Sequence, residues 1–560
     1  MPKQPVRIVA ADPDELEQHR WSVDVRKALR QRFKLQDFRP NQLKAINATL
    51  AGKDVFVLMP TGGGKSMCYQ LPAVVTTGVT RGVTVVISPL ISLIVDQVTG
   101  LINKGITAVT LNSTMDAENR NFSLAQLRSP EPTASLVYVT PEMISKSAQF
   151  KDVLQGLYQR KRLARFVVDE AHCVSRWGHD LRPDYKELSW CKATYPDIPL
   201  IALTATANER VKADVKEILR LGRDCITLSQ SFNRSNLFYE IRKKGSQALG
   251  DLAAFIKNEH DGECGIVYCL SRRACEETAD KLRKEHGIAS NHYHANMEKG
   301  DRQRVQLAWL NGDVKVICAT IAFGMGIDKP NVRYVVHYNL PSSLEGYYQE
   351  TGRAGRDGLP STCVLYFSYK DIRVHDRFIN ESNVSWEQKQ SQREILNKVL
   401  QYCINTADCR RTQVLQYFGE NFSAAQCKET CDNCRMNSGA TPEFTDVSSE
   451  AKDVVALVRA MNPGKVTMNS VIDVYYGSKS RKVTEPGHDK LPEAGKGSKM
   501  TKTDIERLIM VLLAQNILKE RDVHNKIGFS NSYLIVRITD MDSREHSANL
   551  PHILGQRTEG

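Results

Sequence analysis

Lys65 and Ser66 close a glycine-rich run, Met59-Pro-Thr-Gly-Gly-Gly-Lys-Ser66, whose residue types suit the binding of a phosphate chain. Consecutive glycines let backbone N–H groups converge on an anion, Lys65 can reach β- and γ-phosphates, and Ser66 is a ligand for Mg²⁺. ATP is the guest that this chemistry implies, cradled by Thr61, Gly62, Gly63 and Gly64. The run departs from GxxxxGKS/T at its first position, where Met59 stands, and a plain glycine-rich turn is the alternative. A second set of groups follows at Asp169-Glu170-Ala171-His172. Asp169 suits Mg²⁺ held through water, and Glu170 suits the orientation and activation of a water that attacks a γ-phosphate. An acidic helix start is the bland reading of that pair. His172 is expected to couple nucleotide state to the neighbouring loops.

These groups need a scaffold that delivers them to one edge. Val55 to Leu58, Val83 to Ser88, Leu136 to Thr140 and Phe166 to Val168 are apolar, β-branched runs separated by helical patterns, which predicts a doubly wound parallel sheet. The phosphate loop and the acidic pair would then both emerge at the carboxyl ends of strands. Upstream, Val23 to Phe33 has helical spacing, and Gln42 opens another helix with an amide able to donate and accept at an adenine edge. A second strand–helix series begins near Gly265, with Ile266 to Leu270, Val314 to Ala319 and Tyr334 to Tyr338 as its strands. It has no phosphate loop of its own, so it reads as a partner lobe that closes over the first. Arg353 and Arg356, three residues apart, suit a transition-state γ-phosphate, with exposed structural arginines as the alternative.

Length and composition bound the rest. At 560 residues the chain holds roughly three or four domains. The net charge of +12 is a weak pointer to polyanions, and nearly all of it lies upstream of residue 440. With scattered apolar-flanked cysteines, no leader and no long apolar run, we expect a soluble protein of a reducing compartment and no membrane partner. Among the 14 cysteines, Cys409, Cys427, Cys431 and Cys434 stand apart, with 17, 3 and 2 residues between them. Four thiolates satisfy a tetrahedral Zn²⁺ with no open position, so this metal would be structural.

Nine ordered motifs then carry a resemblance: Phe38 to Gln42, Met59 to Ser66, Ser88 to Leu93, Thr140 to Glu142, Asp169 to His172, Thr204 to Thr206, Phe232-Asn-Arg-Ser-Asn236, Phe323 to Asp328 and Gln349 to Arg356. The chain resembles the RecQ family of superfamily 2 DNA helicases, most closely its Bloom-type eukaryotic members. The resemblance implies ATP-driven unwinding of duplex and branched DNA by 3′-to-5′ movement along one strand, in recombination, repair and replication. It implies ATP, Mg²⁺ and structural Zn²⁺ as cofactors, a nuclear location, and protein partners of a topoisomerase and repair assembly. It adds Arg39 to the nucleotide site and Gln349 to the catalytic set, favours Cys409 over nearby Cys403 as zinc ligand, and makes Met59 ordinary at its position. DNA contacts are implied at Ser88 and Thr140. In the loop Ser175 to Asp184, Trp177 can stack on a base and Arg182 can contact phosphate, although Leu181 replaces a customary phenylalanine. Plain core is the alternative for Trp177.

The expected architecture is α/β: a flexible stretch at 1–20, two RecA-like parallel-sheet lobes at 21–232 and 233–400, a small helical zinc-binding domain at 401–440, and a winged helix at 445–540 followed by a tail at 541–560. Helices over Ala451 to Met461, Asn469 to Tyr476 and Thr503 to Leu518, with strands Glu520 to His524 and Ser532 to Ile538, make that winged helix. Within its basic loop at 477–502, Lys479, Arg481 and Lys482 are phosphate clamps by resemblance, and 484–498 reads as a solvated loop. Phe529 at the hairpin tip is a candidate strand-separating wedge. We expect an excised catalytic core, without the accessory helical domain and long N-terminal extension of Bloom-type proteins. Two other readings stand beside this one: an RNA-dependent ATPase of a related helicase class, and a non-enzymatic DNA-binding scaffold.

Overall fold

The structure is a computed structural model that describes residues 19–175, 183–321, 323, 329–438, 444–461, 466–524, 530–536 and 554–556. The chain divides into two compact units, one of residues 1–392 with 411–432 and the other of residues 393–410 with 433–560.

Apolar runs become the interior of two parallel sheets in the first unit. The first sheet contains β1 (Val55–Leu58), β2 (Val83–Ile87), β3 (Ala108–Leu111), β4 (Leu136–Val139), β5 (Leu163–Val168), β6 (Leu200–Thr204) and β7 (Ile226–Ser229), in the order β3-β4-β2-β5-β6-β1-β7. All neighbours are parallel. Every residue of β1, β2, β4, β5 and β6 is buried, as expected of strands covered by helices on both faces. Part of that cover is a core in which Val25, Leu43 and Ile46 from the early helices pack with Val57 and Tyr69. The order has a local consequence: β5, β6 and β1 lie side by side, so Asp169-Glu170, Thr204 to Thr206 and the phosphate loop leave adjacent strand ends.

The second sheet contains β8 (Leu237–Lys243), β9 (Cys264–Tyr268), β10 (Ser290–Tyr293), β11 (Val316–Ala319), β12 (Val332–His337) and β13 (Ser361–Phe367), in the order β10-β11-β9-β12-β13-β8, again with parallel neighbours. The expected strand at 266–270 therefore begins and ends two residues earlier, because Leu270 has already left the ladder. From this lobe the helix Leu344–Thr351 starts at Ser343, whose hydroxyl accepts from Gly346 N at 2.9 Å, and ends in the turn that carries Arg353 and Arg356.

The second unit contains helices Ser448–Ala460, Met468–Tyr476 and Lys502–Ala514 and an antiparallel hairpin of Leu518–His524 with Ser530–Val536. This is the three-helix and hairpin pattern of the expected winged helix. Two details differ. The last helix stops at Ala514, and Leu518 already pairs with Val536, since an apolar Ile-Leu pair serves a strand start as well as a helix end. The stretch 484–498, expected as an irregular loop, contains 3₁₀ turns at His488–Lys490 and Lys496–Lys499. Lys496 is ion-paired to Asp453 at 2.7 Å there, and a Cβ on Gly497 would meet the Tyr475 ring. Trp177, Arg182 and Phe529 lie outside the described residues. Among the described residues, no helix is long and apolar enough to cross a membrane.

Candidate functional site

The phosphate loop is built from a strand that stops abruptly. Met59 N still donates to Thr204 O at 3.1 Å, so this residue continues the β1–β6 ladder, and its buried side chain fills the space beneath the loop. A glycine is not required there, because Met59 keeps φ negative; the left-handed positions are Gly62 (φ 81°) and Gly64 (φ 85°). At Gly63 a Cβ would come within 2.9 Å of Pro60 O. Among the described residues, the N–H groups of Gly62, Gly64, Lys65 and Ser66 make no intramolecular hydrogen bond, so four donors converge where a helix begins. That arrangement fits an anionic phosphate chain. Lys65 Nζ donates to Met59 O at 3.1 Å, and burial pulls its ammonium below the ordinary value, with Glu170 and Asp169 pulling it back.

Arg39 and Gln42 brace the loop from outside. Gln42 Oε1 accepts from Arg39 N at 2.8 Å, its Nε2 donates to Gly64 O at 2.9 Å, and Arg39 Nη1 donates to Gly62 O. A Cβ on Gly64 would run into Gln42 Nε2. Gly64→Ala combines that clash with a left-handed penalty of about 1–2 kcal/mol, and is expected to weaken binding of a fluorescent ATP analogue about tenfold or more. An unchanged dissociation constant would show that the loop is not the nucleotide cradle.

The acidic pair stands one strand away from the loop. Tyr185 Oη donates to Asp169 O at 3.0 Å, and Glu170 N donates to Asp169 Oδ1 at 3.0 Å. Burial, reinforced by the charge of Glu170, pushes the Asp169 carboxyl well above the usual carboxylate range, while Lys65 pulls it down. A divalent cation held between Asp169 and Ser66 would remove that penalty, so the donor set fits Mg²⁺. Glu170 occupies the left-handed region at φ 49°, ψ 47°, a strained position for a residue with a Cβ. Its Oε2 is buried, makes no hydrogen bond, and lies 3.4 Å from His172 Nδ1.

His172 extends this site toward the second lobe. Its Nδ1 lies 2.9 Å from Thr204 Oγ1, which accepts from Thr206 N at 3.2 Å and donates to Thr206 O at 3.0 Å. With the hydroxyl proton directed at that carbonyl, Nδ1 is the donor to Thr204. Thr206 Oγ1 in turn accepts from Gln349 Nε2 at 3.0 Å, so hydrogen bonds connect the acidic pair to the helix Leu344–Thr351. Arg356 lies against the loop: a Cβ on Gly62 would be 3.4 Å from its Cγ, and its charge depresses Lys65. Arg353 is 7% exposed, with a buried Nε lacking a partner, beside Tyr268. Gln349 and Arg356 thus meet the nucleotide and acidic candidates of the first lobe, whereas Arg353 is placed beside Tyr268 of its own lobe.

The DNA candidates are placed less uniformly. Ser88 and Thr140 sit at the adjacent ends of β2 and β4, both buried, with the Ser88 hydroxyl unpartnered. Lys479, Arg481 and Lys482 are exposed in the second unit, beyond the helix Met468–Tyr476. The four motif cysteines form one group, with sulfurs all within 4.8 Å of one another, three of them buried. No cysteine of the described residues is in a disulfide, and Cys403 is outside the group. Four thiols at that spacing fit a structural zinc ion.

One residue near the cleft received no role from the sequence. Arg234 Nη1 donates to Thr61 O and Gly352 O, both at 3.2 Å, and Nη2 donates to Ala354 O and Gly355 O, both at 2.9 Å. The only sequence signal was its presence in the motif Phe232 to Asn236; its acceptors are far away in the chain.

Residues 39–215 match the DEAD/DEAH box helicase family, 247–358 the helicase conserved C-terminal domain, 369–435 the RecQ zinc-binding family and 441–544 the RQC domain. The chain is 49% identical over 517 residues to the ATP-dependent helicase SGS1 of Saccharomyces cerevisiae, covering 92% of this chain and 36% of that protein. It is 45% identical over 518 residues to the RecQ-like DNA helicase BLM of Xenopus laevis, covering 89% and 37%. It is 41% identical over 507 residues to the ATP-dependent DNA helicase Q1 of Mus musculus, covering 89% and 74%. The chain thus spans well under half the length of the first two relatives. Among solved structures, the Mycobacterium smegmatis helicase Lhr bound to ssDNA and AMP-PNP shares the fold, with a TM-score of 0.52 at 17% identity, covering 94% of this chain and 78% of that one.

Proposed function

The chain belongs to the RecQ family of helicases, and from that premise we propose that it is an ATP-dependent DNA helicase that moves 3′-to-5′ on single-stranded DNA and unwinds duplex and branched DNA. The observation that carries this is the convergence of Lys65, Asp169-Glu170 and Arg356 at one phosphate loop, with Gln349 bonded to Thr206 across the lobes. The domain division is the one drawn above: lobes at 21–232 and 233–400, a zinc-binding domain at 401–440 and a winged helix at 445–540.

In this reading the free amides of Gly62, Gly64, Lys65 and Ser66 hold the phosphates, Lys65 neutralises the β- and γ-groups, and Gln42, with Arg39, selects adenine. Ser66 and Asp169 would hold Mg²⁺, which would supply charge neutralisation. Glu170 Oε2 accepts the proton of the water whose oxygen bonds the γ-phosphorus, while the bond from that phosphorus to the β–γ bridging oxygen breaks and ADP leaves. Arg353 and Arg356 stabilise the transferring group. Because they come from the second lobe, hydrolysis follows closure, and the hydrogen bonds from Glu170's neighbour His172 through Thr204 and Thr206 to Gln349 report it. Ser88, Thr140, Trp177, Arg182, Lys479, Arg481 and Lys482 contact the DNA. Nuclear action in recombination, repair and replication, alongside a topoisomerase and repair partners, completes the proposal.

The test is steady-state ATP hydrolysis with no nucleic acid, with single-stranded DNA and with single-stranded RNA, alongside unwinding of a 3′-tailed duplex. Stimulation by DNA with unwinding is expected. Stimulation by RNA alone would move the chain to the RNA-dependent class, and no hydrolysis with tight DNA binding would make it a scaffold.

A further inference from the structure

The segment joining the two lobes is held more tightly than a connector requires, and apart from Tyr348 the residues that hold it come from the segment 411–432. Glu420 accepts from Ser231 Oγ at 2.5 Å and from Phe232 N at 2.7 Å. The Phe232 ring stacks on Phe418 with centroids 4.7 Å apart and planes 15° from parallel, and Tyr348 Oη donates to Phe232 O at 2.7 Å. Beyond it, Arg411 Nη1 donates to Asn233 Oδ1 at 3.0 Å and Arg234 O at 2.7 Å, Nη2 donates to Leu237 O, and Nε donates to Thr430 Oγ1 at 2.8 Å.

Arg411 is 3% exposed, and all of these acceptors are neutral. Burying a guanidinium without a carboxylate is unfavourable, and an apolar side chain would pack a simple connector more cheaply. What the guanidinium provides is register: its donors hold the Asn233 side chain and the carbonyls of Arg234 and Leu237 at once. Arg234 then spans the cleft, with one nitrogen shared between Thr61 O of the phosphate loop and Gly352 O, and the other on Ala354 O and Gly355 O. The last three of these four carbonyls belong to the turn Gly352-Arg353-Ala354-Gly355-Arg356. Asn236 Nδ2 adds bonds to Gly355 O and Leu359 O at 2.9 Å, and Gly355 must be glycine, with φ 55° and Asn236 where a Cβ would lie.

We propose that Arg411 and Arg234 form a positioning relay in which Arg411 fixes the interlobe segment and Arg234 sets the distance of the Arg353–Arg356 turn from the phosphate loop. Neither touches the reacting phosphate; both act through the arginines that do. The inference rests on the motor reading above. It makes the cysteine-bounded segment 411–432 part of the ATPase rather than an appended DNA-binding module.

The experiment uses the full zinc-loaded chain and measures zinc content, the dissociation constant of a fluorescent ATP analogue, and kcat and KM for MgATP at saturating single-stranded DNA. The variants are Arg411→Ala, Arg411→Lys, Arg234→Ala and the double Ala variant. A positioning role predicts one zinc per chain, nucleotide affinity within about threefold of wild type, and kcat lower by about 30-fold or more in each Ala variant, with the double variant falling no further than the worse single one. Arg411→Lys, which retains charge but not the fork of donors, should fall between wild type and Arg411→Ala and covers the case in which the Ala variant does not fold. The proposal is overturned if kcat per zinc-loaded molecule in Arg411→Lys and Arg411→Ala equals wild type, or if the two Ala losses multiply in the double variant. Absence of DNA-stimulated hydrolysis in wild type would instead overturn the motor reading.

Discussion

Replacing Glu170 by Gln is expected to lower ATP turnover at saturating single-stranded DNA by about 10²–10⁴-fold, the range associated with loss of a general base, while the nucleotide still binds. The substitution is nearly isosteric and keeps a side chain at φ 49°, so it leaves the local backbone strain in place and removes the acceptor alone. That acceptor is unusually exposed to chemistry. Glu170 Oε2 is buried without a hydrogen bond, 3.4 Å from His172 Nδ1. A buried carboxylate oxygen without a hydrogen bond is costly unless something arrives to use it. Steady-state hydrolysis and equilibrium binding of a fluorescent ATP analogue, measured on the same preparations, separate catalysis from binding. Turnover within about tenfold of wild type would remove Glu170 from the base role.

Loss of a zinc thiolate is expected to be the largest stability change. Cys431 is fully buried and its backbone bridges Tyr239 at the start of β8, while Tyr239 N donates to Thr430 O at 3.2 Å. Structural zinc supplies apparent binding free energy of about 10–16 kcal/mol in small zinc modules, and that energy appears as folding energy. Cys431→Ser should therefore lower zinc from one ion per chain to a small fraction of that, shift the urea midpoint downward and, by freeing Thr430 and the segment around it, reduce ATP turnover. Cys403→Ser is the comparison. Cys403 is also buried and near in sequence, yet it lies outside the four-sulfur group, so its replacement should leave zinc content unchanged. Metal analysis after dialysis against EDTA decides the point: full zinc occupancy in Cys431→Ser would reject the ligand set.

The contrast between Lys65 and Arg234 shows where reading from the chain succeeds and where it stops. Phosphate binding was legible because its chemistry is contiguous. Glycines, a lysine and a serine within eight positions make a cradle, whatever the remainder of the fold does. The zinc ligands were legible for a similar reason, since cysteine spacing limits how thiolates can meet. The winged helix was legible in outline because three apolar periodicities and two β-prone runs are local patterns, although Leu518, included in the helical pattern, went to a strand. Turn content in 484–498 was not, because Gly497 is fixed by its approach to Tyr475, a contact absent from any local pattern.

By itself the sequence determined the chemical parts: a phosphate loop, an acidic pair at a strand end, a pair of arginines, four thiolates, and the alternation that requires parallel sheets. Each is set by residue type and near-neighbour spacing. Only the tertiary structure decided which parts meet. The order β5-β6-β1 places Thr204 between the acidic pair and the loop, and makes Met59 a ladder residue rather than a missing glycine. It also gives Arg234 acceptors at Thr61 and at Gly352 to Gly355, and gives Arg411 acceptors from Asn233 to Leu237. The physical reason is that a guanidinium binds carbonyls by geometry and not by residue type. Every residue offers the same carbonyl, so nothing in the letters marks the ones that folding will bring within reach.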